Sequence, residues 1–265
     1  MKRAVYIGVI VLLLVVFGVS AFMVGDYFLE SKKQADKFDA LSQAKEEAKQ
    51  NATVPTGETA PEGTFGAEVI RNEDGLLIEY AEIHEMNPDV VGWIKMDGTK
   101  IDYPVMHTPD RRDYYLKRDF DGEHSERGCI YIREECDMQE PSDNITIYGH
   151  NMLDGSMFAA LNAYTDREAW ENNSLIFLDT LTDYHVYKIF AVFKTTASVG
   201  EGFTYHQFVD AEDEEEFDEF VATCKKLAFY DTGITPVYGD KLICLSTCEY
   251  TLANGRLVVM ARRIS

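Results

Sequence analysis

The stretch GWIKMDGTKIDYPV, residues 92–105, decides the fold. Two β-like runs, residues 92–96 and 100–105, lie on either side of Asp97-Gly98, a dipeptide that strongly favours a tight hairpin turn. The sequence therefore predicts two neighbouring antiparallel strands at this point of the chain.

Outward from this hairpin, the chain continues in short β-like runs that are separated by turn residues. These runs occupy residues 128–132, 145–148, 175–178, 184–195, 241–247 and 256–262. Several short strands with such turns favour a closed barrel or a sandwich over alternating βαβ units. We therefore expect a mainly β domain.

Two helices accompany the predicted strands. Apolar residues between Leu76 and His84 fit one helical face, and Asn87-Pro88 ends that helix. Residues 213–228 carry a second apolar stripe behind a strongly acidic first turn. The acidic turn fits either a docking face or an ordinary surface helix that covers a barrel opening, and we favour the surface helix.

The N-terminus predicts a membrane anchor. An uncharged run from Ala4 to Gly25 follows Lys2 and Arg3. At ~1.5 Å per residue this run reaches about 33 Å, enough to cross a hydrocarbon core of ~30 Å. A cleavable signal peptide is the alternative, but the run is longer than a usual signal core and no small-residue cleavage site follows it. We expect residues 1–25 to be an uncleaved single-pass anchor with its N-terminus inside.

A stalk and a linker follow the anchor in residues 26–66. The first part, through Asn51, is charged and rich in Ala, Lys, Glu and Gln, which predicts a helix. Residues 52–66 carry repeated Pro and Gly, which predicts a linker. Residues 67–265 are expected to form the folded domain outside the membrane.

Composition excludes several kinds of function. The 265 residues carry a formal net charge of -21, which argues against nucleic acid as a main partner. The histidines show no metal-ligand spacing, and no stretch resembles a nucleotide-binding fingerprint. We therefore expect neither a metal nor a cofactor.

The five cysteines are an odd number, so at least one thiol is expected to be free. Cys244 and Cys248 lie in one apparent strand, ~13 Å apart, too far for a disulfide. Cys129 is expected in the core. Cys136, among acidic residues, fits an exposed thiol, and whether it pairs with Cys129 stays open.

Three residues at strand ends could carry nucleophilic chemistry. Cys248 ends the apolar run 242–247, and Arg256 begins the next strand, so a hairpin would place their Cα atoms about 5 Å apart. A guanidinium beside a thiol stabilises a thiolate or a developing oxyanion. His150 follows the run 145–148 and could hold and accept the proton of an amine. On spacing alone, structural roles are favoured for these three residues, because a free Cys is commonly a buried apolar side chain.

Three stretches resemble class B sortases. They are NPDVVGWI through IDYPVM in residues 87–106, YGHNM with GSMF in residues 148–158, and LSTC in residues 245–248 followed by Arg256. The stretches occur in the family's order and spacing, and the likeness runs from about Leu76 to the C-terminus.

The resemblance implies a fold and a catalytic set. The fold is a closed eight-stranded β-barrel with N-terminal helices and a helix before the last two strands. The implied enzyme is a cysteine transpeptidase in which Cys248 is the nucleophile, His150 the general acid and base, and Arg256 the oxyanion and substrate clamp.

The resemblance also implies substrate contacts. Ser246 would touch the substrate, the backbone N–H of Glu249 would complete the oxyanion site, and Leu116 would line the groove for the sorting signal. Family members often carry Asn shortly before the Tyr-Leu pair that ends at Leu116. This chain has Asp-Arg-Arg-Asp at residues 110–113 instead, which leaves the details of the substrate open.

The implied reaction has two steps and defines the partners. Cys248 attacks the Thr carbonyl of a C-terminal sorting motif on a surface protein, and an amine of peptidoglycan or a pilin lysine resolves the thioester. The enzyme would sit in the cell membrane with its catalytic domain outside. A cysteine endopeptidase without transfer and an inactive surface-binding barrel are the alternatives; papain-like chains, however, place Cys before His.

Overall fold

The computed structural model describes residues 2–51, 58–59, 68–198 and 200–265. Most of the predicted linker, residues 52–66, lies outside the described residues. Within it, strand β1 (Glu58–Thr59) pairs antiparallel with strand β2 (Glu68–Val69).

The predicted anchor and stalk form one continuous helix, α1 (Lys2–Asn51). Its apolar part has a mean hydropathy of 3.0, and the helix is long and apolar enough to cross a membrane. Residues Met1–Leu41 form a compact unit of their own. The charged residues that follow the apolar run are thus part of the same helix, through Asn51.

Eight strands close into a barrel, which confirms the predicted mainly β fold and decides for the barrel over the sandwich. The order around the barrel is β10-β8-β7-β3-β4-β5-β6-β9. The strands are β3 (Val90–Lys95), β4 (Asp102–His107), β5 (Ile130–Ile132), β6 (Asn144–Tyr148), β7 (Leu175–Thr180), β8 (Val186–Thr196), β9 (Leu242–Glu249) and β10 (Gly255–Arg263).

The predicted hairpin in residues 92–105 is confirmed by the antiparallel pair β3–β4. On its other side, β3 pairs with β7, and Gly92 lies opposite Thr180. A Cβ atom at Gly92 would stand 2.1 Å from the backbone oxygen of Asp179. Only glycine therefore lets β7 approach β3 closely enough to pair.

Two neighbouring pairs in the barrel are parallel, β4–β5 and β6–β9, which the sequence did not predict. Parallel pairing aligns the C-terminal ends of the two strands. In β6 and β9 it sets Tyr148 beside Ser246. The loops that follow these two strands consequently begin at the same rim of the barrel.

Two of the remaining helices match the predicted ones. Helix α2 (Ile78–Met86) ends before Asn87, and α3 (Arg167–Asn172) is short. Helix α4 (Glu214–Leu227) begins at Asp213, whose carboxylate accepts the N–H of Glu216 as an N-cap. Its apolar stripe packs into a core cluster with side chains of β8, β9 and β10. The helix expected before the last two strands is confirmed.

A buried acidic cluster lies between α2 and the barrel. Tyr80 donates a hydrogen bond of 2.6 Å to Asp179, and Glu79, which is almost fully buried, accepts one from Lys49 at 3.3 Å. Burial raises the pKa of Asp179 to about 6, although the hydrogen bond from Tyr80 opposes the shift. The folded state therefore holds the Asp179 proton more tightly than the unfolded chain does.

The raised pKa predicts that Asp179→Asn stabilises the folded domain at high pH. Well above pH 6, wild-type Asp179 is charged in its buried position, so the neutral variant should gain about 3 kcal/mol in unfolding free energy. The gain should disappear below about pH 4, where the carboxyl group is protonated in both states. Thermal unfolding of the full chain in detergent between pH 4 and pH 8 measures this.

Asp183→Asn is the matched control. The hydrogen bond from the hydroxyl of Thr182, together with Arg71, lowers the pKa of Asp183, so its substitution should destabilise the domain above pH 4. An Asp179→Asn variant that is less stable than wild type at pH 8 would contradict the prediction.

Candidate active site

The ends of β5, β6, β8, β9 and β10 and the loops that follow β4 and β8 surround an open cavity of about 250 Å³ at one rim of the barrel. Five of the six residues predicted for the site line it. The lining residues are Arg112, Asp113, Leu116, Tyr131, Arg133, Tyr148, Gly149, His150, Ala197, Tyr205, His206, Ser246, Thr247, Cys248 and Arg256. The sixth predicted residue, Glu249, is buried and is not among the lining residues.

The β9–β10 pair places a thiol beside a guanidinium. Cys248 and Arg256 are direct partners in the antiparallel register, as the sequence predicted. Cys248 is partly exposed. One nitrogen of the Arg256 guanidinium donates to the carbonyl of Gly255 at 2.9 Å, which holds the side chain at the end of the strand. Its other N–H groups can serve an oxyanion.

His150 leaves β6 at the same rim. The N–H of Gly149 donates to the carbonyl of Ser246 at 3.2 Å and so continues the β6–β9 pairing up to the histidine. Nε2 of His150 lies 2.8 Å from the carbonyl of Leu116. Because a carbonyl only accepts, Nε2 must carry a proton, and Nδ1 of the neutral ring is left to accept one.

The close approach of two side chains explains Gly149. A Cβ atom at this position would stand 2.5 Å from Cδ1 of Ile130 and 2.7 Å from the ring of Phe158. Any larger residue would displace the segment that carries His150.

The three predicted substrate residues differ in their surroundings. Leu116 is partly exposed in the cavity wall. Ser246 is buried, and its hydroxyl is hydrogen bonded to that of Tyr205 at 2.7 Å. A substrate group would therefore share the Ser246 hydroxyl with Tyr205.

Glu249 fixes the loop between β9 and β10 with its side chain. Its carboxylate pairs with Lys194 Nζ at 2.8 Å and accepts the N–H groups of Thr251 and Leu252. Burial raises the pKa of Glu249, but the hydrogen bonds from Lys194 and Thr251 outweigh it and lower the pKa to about 2. The family resemblance implies a role only for the backbone N–H of this residue, so the part played by its side chain was missed.

Asn151 connects the loop that carries His150 to the end of β9, and sequence reasoning assigned it no role. Its side-chain Nδ2 donates to the backbone carbonyl of Cys248 at 2.9 Å, and the backbone carbonyl of Asn151 accepts from the hydroxyl of Tyr250 at 3.2 Å. The available signal was its place directly after His150, at a strand end where functional side chains collect.

The other four cysteines are buried and carry no disulfide. Burial raises the pKa of Cys136 to about 11 and raises the thiol pKa of Cys129, Cys224 and Cys244 further. The suggestion that Cys136 is an exposed thiol is wrong, because its side chain packs inside and contacts the carbonyl of Asn144.

The chain matches a known family over most of its folded domain. Residues 94–264 match the family model described as Sortase domain. The chain is 25% identical to sortase B of Staphylococcus aureus over 100% of this chain and 98% of that protein. It is 31% identical to sortase B of Listeria monocytogenes over 71% of this chain and 74% of that protein.

A solved structure agrees with this match at the level of fold. The structure of a Staphylococcus aureus sortase B–substrate complex superposes with a TM-score of 0.74 at 24% identity, covering 89% of this chain and 99% of that one. The closed eight-stranded barrel is thus the fold that the resemblance implied.

The burial pattern predicts that one thiol of the native chain is reactive. Iodoacetamide should add one equivalent to the full chain in detergent and five equivalents after denaturation, because thiol reactivity requires access and a reachable thiolate. Peptide mapping by mass spectrometry should place the native adduct on Cys248. A native adduct on Cys136 would contradict the buried position found here.

The lowered pKa of Glu249 predicts a pH-dependent effect of Glu249→Gln. Above about pH 4.5 the variant should be less stable by about 1–3 kcal/mol, since it loses a buried charged hydrogen-bond acceptor. The difference should shrink as pH falls towards 2, where wild-type Glu249 also becomes protonated. Chemical unfolding from pH 3 to pH 7 measures this.

Glu171→Gln is the control for loss of a carboxylate. It removes an exposed ion pair with Arg167 on α3, and such pairs contribute little. Equal destabilisation by the two substitutions would argue against an anchoring role for Glu249.

Proposed function

Because this chain belongs to the sortase family and is a class B sortase, we propose that Cys248, His150 and Arg256 form the catalytic set of its cysteine transpeptidase activity. The observation that carries the proposal is the β9–β10 register, which pairs Cys248 with Arg256. His150 lines the same cavity. A nucleophile, a proton carrier and a permanent cation are the groups that acyl transfer through a thioester requires.

The first step forms a thioacyl-enzyme. The Cys248 thiolate attacks the carbonyl carbon of the scissile Thr in a C-terminal sorting motif, and the carbonyl oxygen becomes an oxyanion that Arg256 stabilises. The C–N bond then breaks, and protonated His150 gives its proton to the leaving amine. The backbone N–H of Glu249 is a second donor for the oxyanion in this proposal.

The second step transfers the acyl group to an amine. A peptidoglycan amine or a pilin lysine attacks the thioester, His150 accepts the proton of that amine, and the C–S bond breaks to release the thiolate. The Nε2 bond to the Leu116 carbonyl supports this role, because it leaves Nδ1 of His150 as the atom that takes up the proton.

Asn151 acts as a positioning residue in this scheme. Its bond to the Cys248 carbonyl connects the loop that carries the base to the strand that carries the nucleophile. A contact of this kind holds reacting groups in a productive geometry without touching the substrate.

The membrane arrangement belongs to the same proposal. Residues 1–25 anchor the chain as a single span, residues 26–66 form stalk and linker, and residues 67–265 work outside on surface proteins that bear the sorting motif. The support is the apolar helix α1 and the basic pair Lys2 and Arg3 before it.

Cys248→Ala should abolish thioacyl-enzyme formation while the domain stays folded. Sorting peptides that contain a Thr are incubated with the full chain in detergent, and intact mass spectrometry detects the covalent adduct. With an added amine, wild type should yield the amide product, because the thioester is resolved by aminolysis.

Cys136→Ala is the matched control, since it removes a thiol that is buried away from the cavity. It should retain the adduct and the transfer product. Peptide cleavage by folded Cys248→Ala would refute the assignment of the nucleophile, and hydrolysis without any amide product would favour an endopeptidase.

A further inference from the structure

Arginine side chains make up most of the charged lining of the active-site cavity in a strongly acidic protein. The chain has a formal net charge of -21, yet three arginines line the cavity against one carboxylate, Asp113. The arginines come from separate parts of the chain: Arg112 from the loop after β4, Arg133 from the end of β5, and Arg256 from β10. Glu134 and Glu135, which pair with Arg112 and Arg133, are not among the lining residues, so the charged groups that a ligand in the cavity meets are mostly guanidiniums.

Two of these arginines already bind groups within the protein. Arg133 pairs with Glu135 through Nε at 2.8 Å and Nη2 at 2.9 Å, and Arg256 holds backbone carbonyls beside Cys248. The carboxylate of Asp113 accepts the hydroxyl of Tyr131 at 2.9 Å. These contacts leave Arg112 as the lining cation that a substrate can most easily engage.

Arg112 is available because its side chain lies largely in solvent. The side chain is 75% exposed, and Nε lies 3.1 Å from Glu134, whose side chain is 14% exposed, and 3.7 Å from Asp113. A guanidinium carries five N–H donors, so a carboxylate that enters the cavity can bind Arg112 through donors other than Nε while Glu134 keeps its partner. A bidentate arginine–carboxylate contact of this kind is charge-assisted and geometrically specific.

The three arginines also affect the pKa of His206 in the cavity wall. Burial lowers the pKa of His206, and Arg133, Arg256 and Arg112 lower it further, against an opposing effect of Glu135. Three guanidiniums therefore act together on one point of the wall, as they would on an anionic ligand.

We propose that the sorting signal of this enzyme carries an acidic side chain within a few residues of its scissile Thr, and that Arg112 binds this carboxylate as a specificity-determining residue. The inference rests on the proposed function, because it names the substrate class of the same site. Arg112 lies four residues before Leu116, in the segment where the chain departs from the family's usual Asn.

Paired peptides test the proposal. At each position within three residues of Thr, a Glu peptide is compared with its Gln counterpart, and kcat/KM for acylation of the full chain is measured in detergent. At one position Glu should be preferred about 5- to 20-fold at low salt, with a smaller preference at 0.5 M NaCl because salt screens an exposed contact.

Three variants identify the residue. Arg112→Gln should remove the Glu preference and leave the Gln peptides unchanged, whereas Glu134→Gln should increase it by releasing Arg112 from its partner. Arg118→Gln is the matched control, because Arg118 is exposed in the same loop, does not line the cavity and stacks on Tyr114. It should keep the preference.

The outcomes separate the two proposals. Equal rates for Glu and Gln peptides at every position, or a preference that survives in Arg112→Gln, would overturn the inference and leave the transpeptidase assignment intact. A change confined to the ratio of aminolysis to hydrolysis, with equal acylation rates for Glu and Gln peptides, would also overturn it, since Arg112 would then act after acylation and not in recognition of the sorting signal. Failure of every peptide to acylate Cys248 would overturn the proposed function itself.

Discussion

The antiparallel register between β9 and β10 is the constraint on which the site depends. Because side chains alternate between the faces of a strand, a slip of one residue would turn Cys248 and Arg256 to different faces of the sheet. The register is held from both sides, since β9 also pairs with β6 and β10 with β8. Because the barrel is closed, neither strand has a free edge along which it could slide. The eight strands together therefore fix the sulfur of Cys248 beside the guanidinium of Arg256.

Much of this arrangement could be predicted because it is local in sequence. The turn at Asp97-Gly98 predicted the first hairpin, and the short loop between Cys248 and Arg256 predicted their pairing. The amphipathic stripe predicted α4. Each of these features depends on residues that lie within about 15 positions of one another, where periodicity and turn chemistry carry the information.

What could not be predicted depends on contacts between distant parts of the chain. The parallel β4–β5 and β6–β9 pairs leave no local signature, and the convergence of Arg112, Arg133 and His206 follows only from barrel closure. Glu249 shows a related limit. The motif drew attention to its backbone N–H, while its side chain meets Lys194, 55 residues earlier, and fixes the loop beside the nucleophile.

The parallel pairing of β6 with β9 also constrains how the barrel can assemble. The two strands are separated by about 100 residues, so their association requires a large loop to close before it yields any contact energy, and such topologies fold slowly. The last two strands carry Cys248 and Arg256, and their pairing closes the barrel. Without these two strands the barrel would stay open between β6 and β8, and two of the three proposed catalytic residues would be missing.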